Sequence, residues 1–144
     1  MAVHRRAQTL RPLAAALILA LASACASHAE APDNAAVCND YGTQRSGDEV
    51  IATGHVIDVL GERAGRSGEH EGYLVKLDGN CDLLVKVETN TTITGPIALR
   101  PKERVVVKGV YIYNPLGGLI HWTHHDPRGR HVGGYVTAGG TSYQ

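Results

Sequence analysis

The sequence predicts an all-β domain, a small OB-like β-barrel, closed or partly open, of about five to six strands. Three observations carry that expectation. From Glu49 to Tyr143 the apolar residues recur largely with a period of two and are rich in Val and Ile, as half-buried strands require. Gly, Pro, Asn and Asp punctuate these runs at short intervals, and no stretch offers a convincing amphipathic helix. About five short strands and one irregular crossing in roughly a hundred residues suit a small barrel better than a seven-stranded sandwich.

Residues 1–29 read as an export signal that is not part of the fold. His4, Arg5, Arg6 and Arg11 form a cationic start, Pro12 to Ala22 an apolar run, and Ser27-His28-Ala29 the small-residue cleavage site of a soluble protein. The apolar run is shorter than the ~20 residues a spanning helix needs. Ala22-Ser23-Ala24-Cys25 offers an alternative, a lipoprotein signal ending before Cys25, and only a lipidated Cys25 would place the protein on a membrane. Residues 30–48 are polar and turn-rich, and read as an extended lead-in tied by Cys38. Two cysteines remain beyond the signal, Cys38 and Cys81, and in an oxidising compartment an even pair implies a disulfide. Such a bridge closes a long loop, worth roughly 3 to 4 kcal/mol by chain entropy.

The barrel is expected over residues 49–144. Glu49 to Leu60 reads as a strand with a bulge or bend at Gly54, and Gly61 to Gly68 as a charged loop. Tyr73 to Leu77 and Asp82 to Val87 read as strands joined at Asp78-Gly79-Asn80, with Cys81 at the start of the second. Asn90 to Arg104 is irregular, with at most a short helical turn. Arg104 to Tyr113 is the longest apolar strand and runs into Asn114-Pro115-Leu116-Gly117, whose residues have type I turn preferences. Gly118 to His125 reads as the return strand, ending at a second such turn, Asp126-Pro127-Arg128-Gly129. Tyr135 to Thr137 and Ser142-Tyr143, around Gly139-Gly140, close the chain as a hairpin or edge.

Charge narrows the function. The overall net charge is zero, but the signal carries three of the 14 basic residues and none of the 14 acidic ones, so the remainder is net −3. That balance gives no long-range attraction to phosphate backbones, so nucleic acid is not expected as a general partner.

The chemistry concentrates in HWTHHDPRGRH, where His121, His124, His125, Asp126 and His131 crowd around the sole tryptophan, Trp122. Alternation along a strand puts His121, Thr123 and His125 on one face and Trp122, His124 and Asp126 on the other. His121 and His125 would then lie about 13 Å apart, too far to share an ion. The turn at Asp126 folds the chain back, however, and brings His131 alongside His124 or His125. The candidate ligands for zinc or another divalent metal are therefore His124, His125, Asp126 and His131. A purely structural reading stands beside this one: Asp126 caps its turn, the histidines bond backbone carbonyls, and Trp122 fills the core. Trp122, His121, Tyr111 and Tyr113, with Arg128 and Arg130, form a candidate binding face of the kind OB-like barrels use.

Recognised hydrolase patterns are absent. His121-Trp122-Thr123 supplies the motif of a two-histidine phosphoesterase once where it is needed twice, and no GxSxG elbow occurs. The segment Gly117 to Tyr143, GGLIHWTHHDPRGRHVGGYVTAGGTSY, resembles the C-terminal signature of a bacterial family of small exported proteins of unknown function. His70 and Tyr73 match a histidine and an aromatic of that family's upstream stretch, and Asn90 matches its His-Asn pair, with Thr89 in place of the histidine. The resemblance implies an OB-like barrel and no established activity or cofactor, draws His70 into the candidate metal set, and marks Cys38 and Cys81 as an addition. The expected function is thus an exported, periplasmic or secreted, binding domain holding a small ligand, oligomer or envelope partner on the histidine face. The alternatives are a metal-dependent hydrolase and a purely structural envelope protein.

Overall fold

The structure, a computed structural model, describes residues 30–144, so the expected export signal with Cys25 lies outside the described residues. Helix α1 spans Asn34–Gly42, followed by β1 (Glu49–Gly65), β2 (Gly68–Leu77), β3 (Leu84–Asn90), α2 (Thr91–Thr94), β4 (Arg104–Ile112), β5 (Leu119–His121), β6 (Tyr135–Ala138) and β7 (Thr141–Tyr143). The seven strands are ordered β1-β2-β3-β5-β4-β6-β7, and a further β1–β4 pairing closes β1, β2, β3, β5 and β4 into a ring. All pairings are antiparallel except β3 with β5. A five-stranded, partly open ring of this order is the OB-like barrel the sequence predicts. β6 and β7 extend it along the edge of β4 that β5 leaves free, as the terminal hairpin predicts.

Alternation builds the interior. Tyr73, Val75 and Leu77 of β2, Val85 and Val87 of β3, Val105, Val107 and Tyr111 of β4, Ile120 of β5 and Val136 of β6 are all buried in one core. Each such side chain contributes roughly 1.5–3 kcal/mol by leaving water. In a chain without phenylalanine the largest fully buried side chains are tyrosines, Tyr73 and Tyr111. Among the described residues no helix is long and apolar enough to cross a membrane.

Several expectations need correction. The lead-in is not extended, because Asp33 caps α1 by accepting from the Ala36 amide and Val37 is fully buried in the core. With few apolar residues, the helix is fixed by contacts the sequence hides: Asn34 bonds the backbone of Thr53 and Asp78, and Cys38 bridges to Cys81. Cys81 precedes β3 rather than opening a strand. The charged segment from Gly61 is not a loop either. It carries β1 onward to Gly65 in register with β2, as an arm whose exposed residues erase the apolar alternation that would reveal it. Gly54 lies in register with both Leu77 and Val105 and marks a close approach, since a Cβ there would meet the Lys76 carbonyl at 2.1 Å; the bulges fall at Ile57 and Leu60.

Candidate functional site

Strand register assembles the site. On β2, His70 points outward with Gly72 because Glu71, Tyr73 and Val75 alternate with them. β2 pairs Gly72 with Glu88 and His70 with Asn90. On the other side β3 runs parallel to β5, with Val87 beside Ile120, so Glu88 falls beside His121. Three adjacent strands thus present His70, Glu88 and His121 on the outer face, and one ligand atom from each lies within 4.8 Å of the others. Ligands bound about 2.0–2.1 Å from zinc sit about 3.4 Å apart in a tetrahedron, so these groups close on an ion by movements of about an ångström.

Each member is prepared differently. The His70 ring is buried, with Nδ1 at 2.9 Å from the Gly68 carbonyl, which makes Nδ1 the donor and Nε2 the acceptor, where the Ser67 hydroxyl makes a long 3.4 Å contact that a metal ion would displace. Ligating histidines are commonly oriented by such a carbonyl. Glu88 is buried, and its Oε2 accepts from both Arg63 and Lys86. Burial alone would raise its carboxyl pKa, but these two cations outweigh it and the net shift is down. Among the described residues the Glu88 Oε1 and the His121 ring take no hydrogen bond. Burial pushes the His121 imidazole below its ordinary value, partly opposed by Glu88, which favours the neutral, ligating form.

Beyond His121 the expected strand stops. Trp122 adopts φ 56°, a left-handed conformation that opposes a continuing strand at a typical cost of about 1–2 kcal/mol. Strained residues of this kind gather at functional sites. The chain turns over the barrel, where Thr123 is fully buried and donates to the Glu88 carbonyl. Gly134 permits the return, since a Cβ there would lie 2.2 Å from the Trp122 carbonyl oxygen. The two-face division expected for residues 121–126 therefore does not hold.

What results is a cleft of about 590 Å³ lined by His70, His121, Trp122, His124, Asp126, Arg128, Arg130 and His131, with Ser67, Asn90, Ile93 and Pro127. His124 and His131 meet edge to face at 5.1 Å, as the turn predicts. Both direct Nδ1 at backbone carbonyls, of His125 and Val132 respectively; this leaves the His124 Nε2 without a hydrogen bond, while the His131 Nε2 faces Asp126 Oδ2 at 3.8 Å. Burial lowers the His124 pKa. Asp126 accepts from the amides of Arg128, Arg130 and His131. Burial would raise its carboxyl, but these amides hold it at about 2. Both oxygens accept from the backbone of the turn, as the turn-capping reading expects. With its folded pKa below the ordinary 3.8, its contribution to the loop is complete above about pH 4 and fades toward pH 2. Protection of the amides of residues 128–131 against exchange, taken relative to their intrinsic rates, is expected to fall across that window in the native chain and to be low throughout in Asp126→Asn. Equal exchange in both would remove Asp126 as the loop's anchor.

The other expected site residues separate. His125 is exposed and does not line the cleft. Tyr111 is fully buried, its hydroxyl donating to the Gly117 carbonyl, so it belongs to the core and not to a binding face. Tyr113 packs on Tyr41 at 5.8 Å, away from the cleft. Trp122 is 40% exposed, stacked on His131 at 5.0 Å and tilted against His121 at 6.0 Å. Glu88 went unnoticed in the sequence because its partners lie on other strands; its only signal is a charge within LVKVETN.

No curated protein and no solved structure matches the chain. Residues 17–144 match the family model described as Protein of unknown function (DUF3465), and the chain belongs to that family.

Proposed function

We propose that this chain is an exported protein whose OB-like barrel holds a divalent metal ion at His70, Glu88 and His121 and uses it to bind a ligand in the adjoining cleft. The observation that carries this reading is the convergence of two imidazoles and one carboxylate on three neighbouring strands. Two histidines and a carboxylate form a ligand set that leaves coordination positions open. The outer face of strands β2 and β3 is also where OB-like barrels take ligands. Export is supported by the cationic and apolar start of the sequence and by the disulfide.

The test is calorimetric titration of the untagged, chelator-stripped protein with zinc and with manganese. One equivalent taken up with micromolar or tighter affinity is expected. Failure to bind either metal overturns the proposal. A hydrolytic second reading is favoured by His124, which lines the same cleft with its Nε2 free of hydrogen bonds and is the candidate base for a metal-activated water. Turnover of an activated phosphodiester by the metal-loaded protein, lost in His124→Ala, is its expected signature; no turnover removes it.

A further inference from the structure

We infer that the ligand completing this site is the phosphate group of a small phosphate monoester, held between the metal and the guanidinium groups of Arg128 and Arg130. The inference rests on the metal reading and gives the ligand its chemistry.

Charge is the first argument. Arg128 and Arg130 line the cleft, and neither pairs with a carboxylate among the described residues, whereas Arg63 and Lys86 nearby are both engaged by Glu88. The one carboxylate in the lining, Asp126, is ionised and offsets only one of the two arginine charges. The cleft therefore carries unbalanced positive charge. A divalent ion at Glu88 adds to it, since that carboxylate already serves two cations. An exogenous anion would offset the excess and complete the coordination on the side left open by the three protein ligands.

The number of contacts identifies the anion. A metal ion and two guanidinium groups offer three cationic contacts. A phosphate monoester brings about two charges and three terminal oxygens, whereas a carboxylate brings one charge and two oxygens. Arginine's planar fork suits bidentate contact with phosphate oxygens. At about 590 Å³ the cleft has the size of a small-molecule site.

Aromatic geometry argues against single-stranded nucleic acid. Proteins that hold such strands stack successive bases on free aromatic faces. Trp122 offers little of that kind, because His131 lies parallel to one side at 5.0 Å and 11° and His121 packs against the ring at 6.0 Å and 35°. Recognition falls to charge and not to stacking.

The experiment measures zinc affinity of the untagged protein alone and with phenyl phosphate, inorganic phosphate, acetate or an oligothymidylate. Phenyl phosphate is expected to raise zinc affinity at least about 5-fold, and zinc to raise phenyl phosphate affinity by the same factor, because coupling between sites is reciprocal. Inorganic phosphate is expected to act similarly and acetate weakly. The double substitution Arg128→Ala, Arg130→Ala lies on an exposed loop; it is expected to abolish the enhancement while zinc still binds. Zinc uptake that no phosphate enhances, acetate acting as strongly, or preferential tightening by the oligothymidylate overturns the inference and leaves the metal site standing. No zinc uptake removes both.

Discussion

His121→Ala is expected to lower zinc affinity by more than about 100-fold, from micromolar or tighter to beyond a practical titration. Altering groups that merely orient a metal's ligands typically costs 10- to 100-fold, and removing a ligand exceeds that. The substitution is a clean probe because the His121 ring makes no hydrogen bond among the described residues, so its loss strands no buried partner. Its strand is held instead by Ile120, fully buried, and by pairing to β3 and β4. Circular dichroism and melting temperature should therefore change little while calorimetric zinc binding disappears. Glu88→Gln is the less clean companion, because Arg63 and Lys86 both depend on that carboxylate and stability falls with affinity. Retained zinc binding in His121→Ala would place the ion elsewhere in the cleft.

Removing the disulfide is expected to have the largest effect on stability. Cys38 and Cys81 are 43 residues apart, and freeing a loop of that length lowers stability by about 4 kcal/mol in the chain-entropy treatment. For a domain of this size that corresponds to a fall in melting temperature of roughly 15 °C. Cys38→Ser with Cys81→Ser should show this fall, and reductant should reproduce it in the native chain. Metal uptake by the folded variant should be preserved, because the bridge ties α1 to the end of the barrel near the β2–β3 connection. The candidate site lies at the opposite end, where β3 and β5 finish and β2 begins. A melting temperature lowered by less than about 3 °C would show that Asn34 and the buried Val37 hold the helix unaided.

Particular elements explain how far the sequence could be read. The barrel was legible because Val85, Val87, Val105 and Val107 alternate strictly with less buried neighbours. The turns at Asn114 and Asp126 were legible because their side chains cap their own backbones. Helix α1 and the β1–β2 arm were not, since one is fixed by polar contacts and the other exposes both charged and apolar residues. Of the candidate site, the local half was visible: His124 meets His131 across the turn that Asp126 organises. The nonlocal half was not. Pairing of Glu88 with His121 depends on a parallel register between strands more than thirty residues apart, and no spacing rule within one segment reports it. Trp122 broke the strand against its own steric preference, so the face assignment derived from alternation could not survive.

The central claim is that His70, Glu88 and His121 bind one metal ion. Crystals of the untagged protein grown with zinc, with diffraction recorded above and below the zinc absorption edge, test it most directly. The account predicts one anomalous peak per chain, within bonding distance, about 2.0–2.2 Å, of His70 Nε2, a His121 ring nitrogen and a Glu88 carboxylate oxygen. A peak at His124 and His131 instead, or none at zinc concentrations well above micromolar, would contradict it.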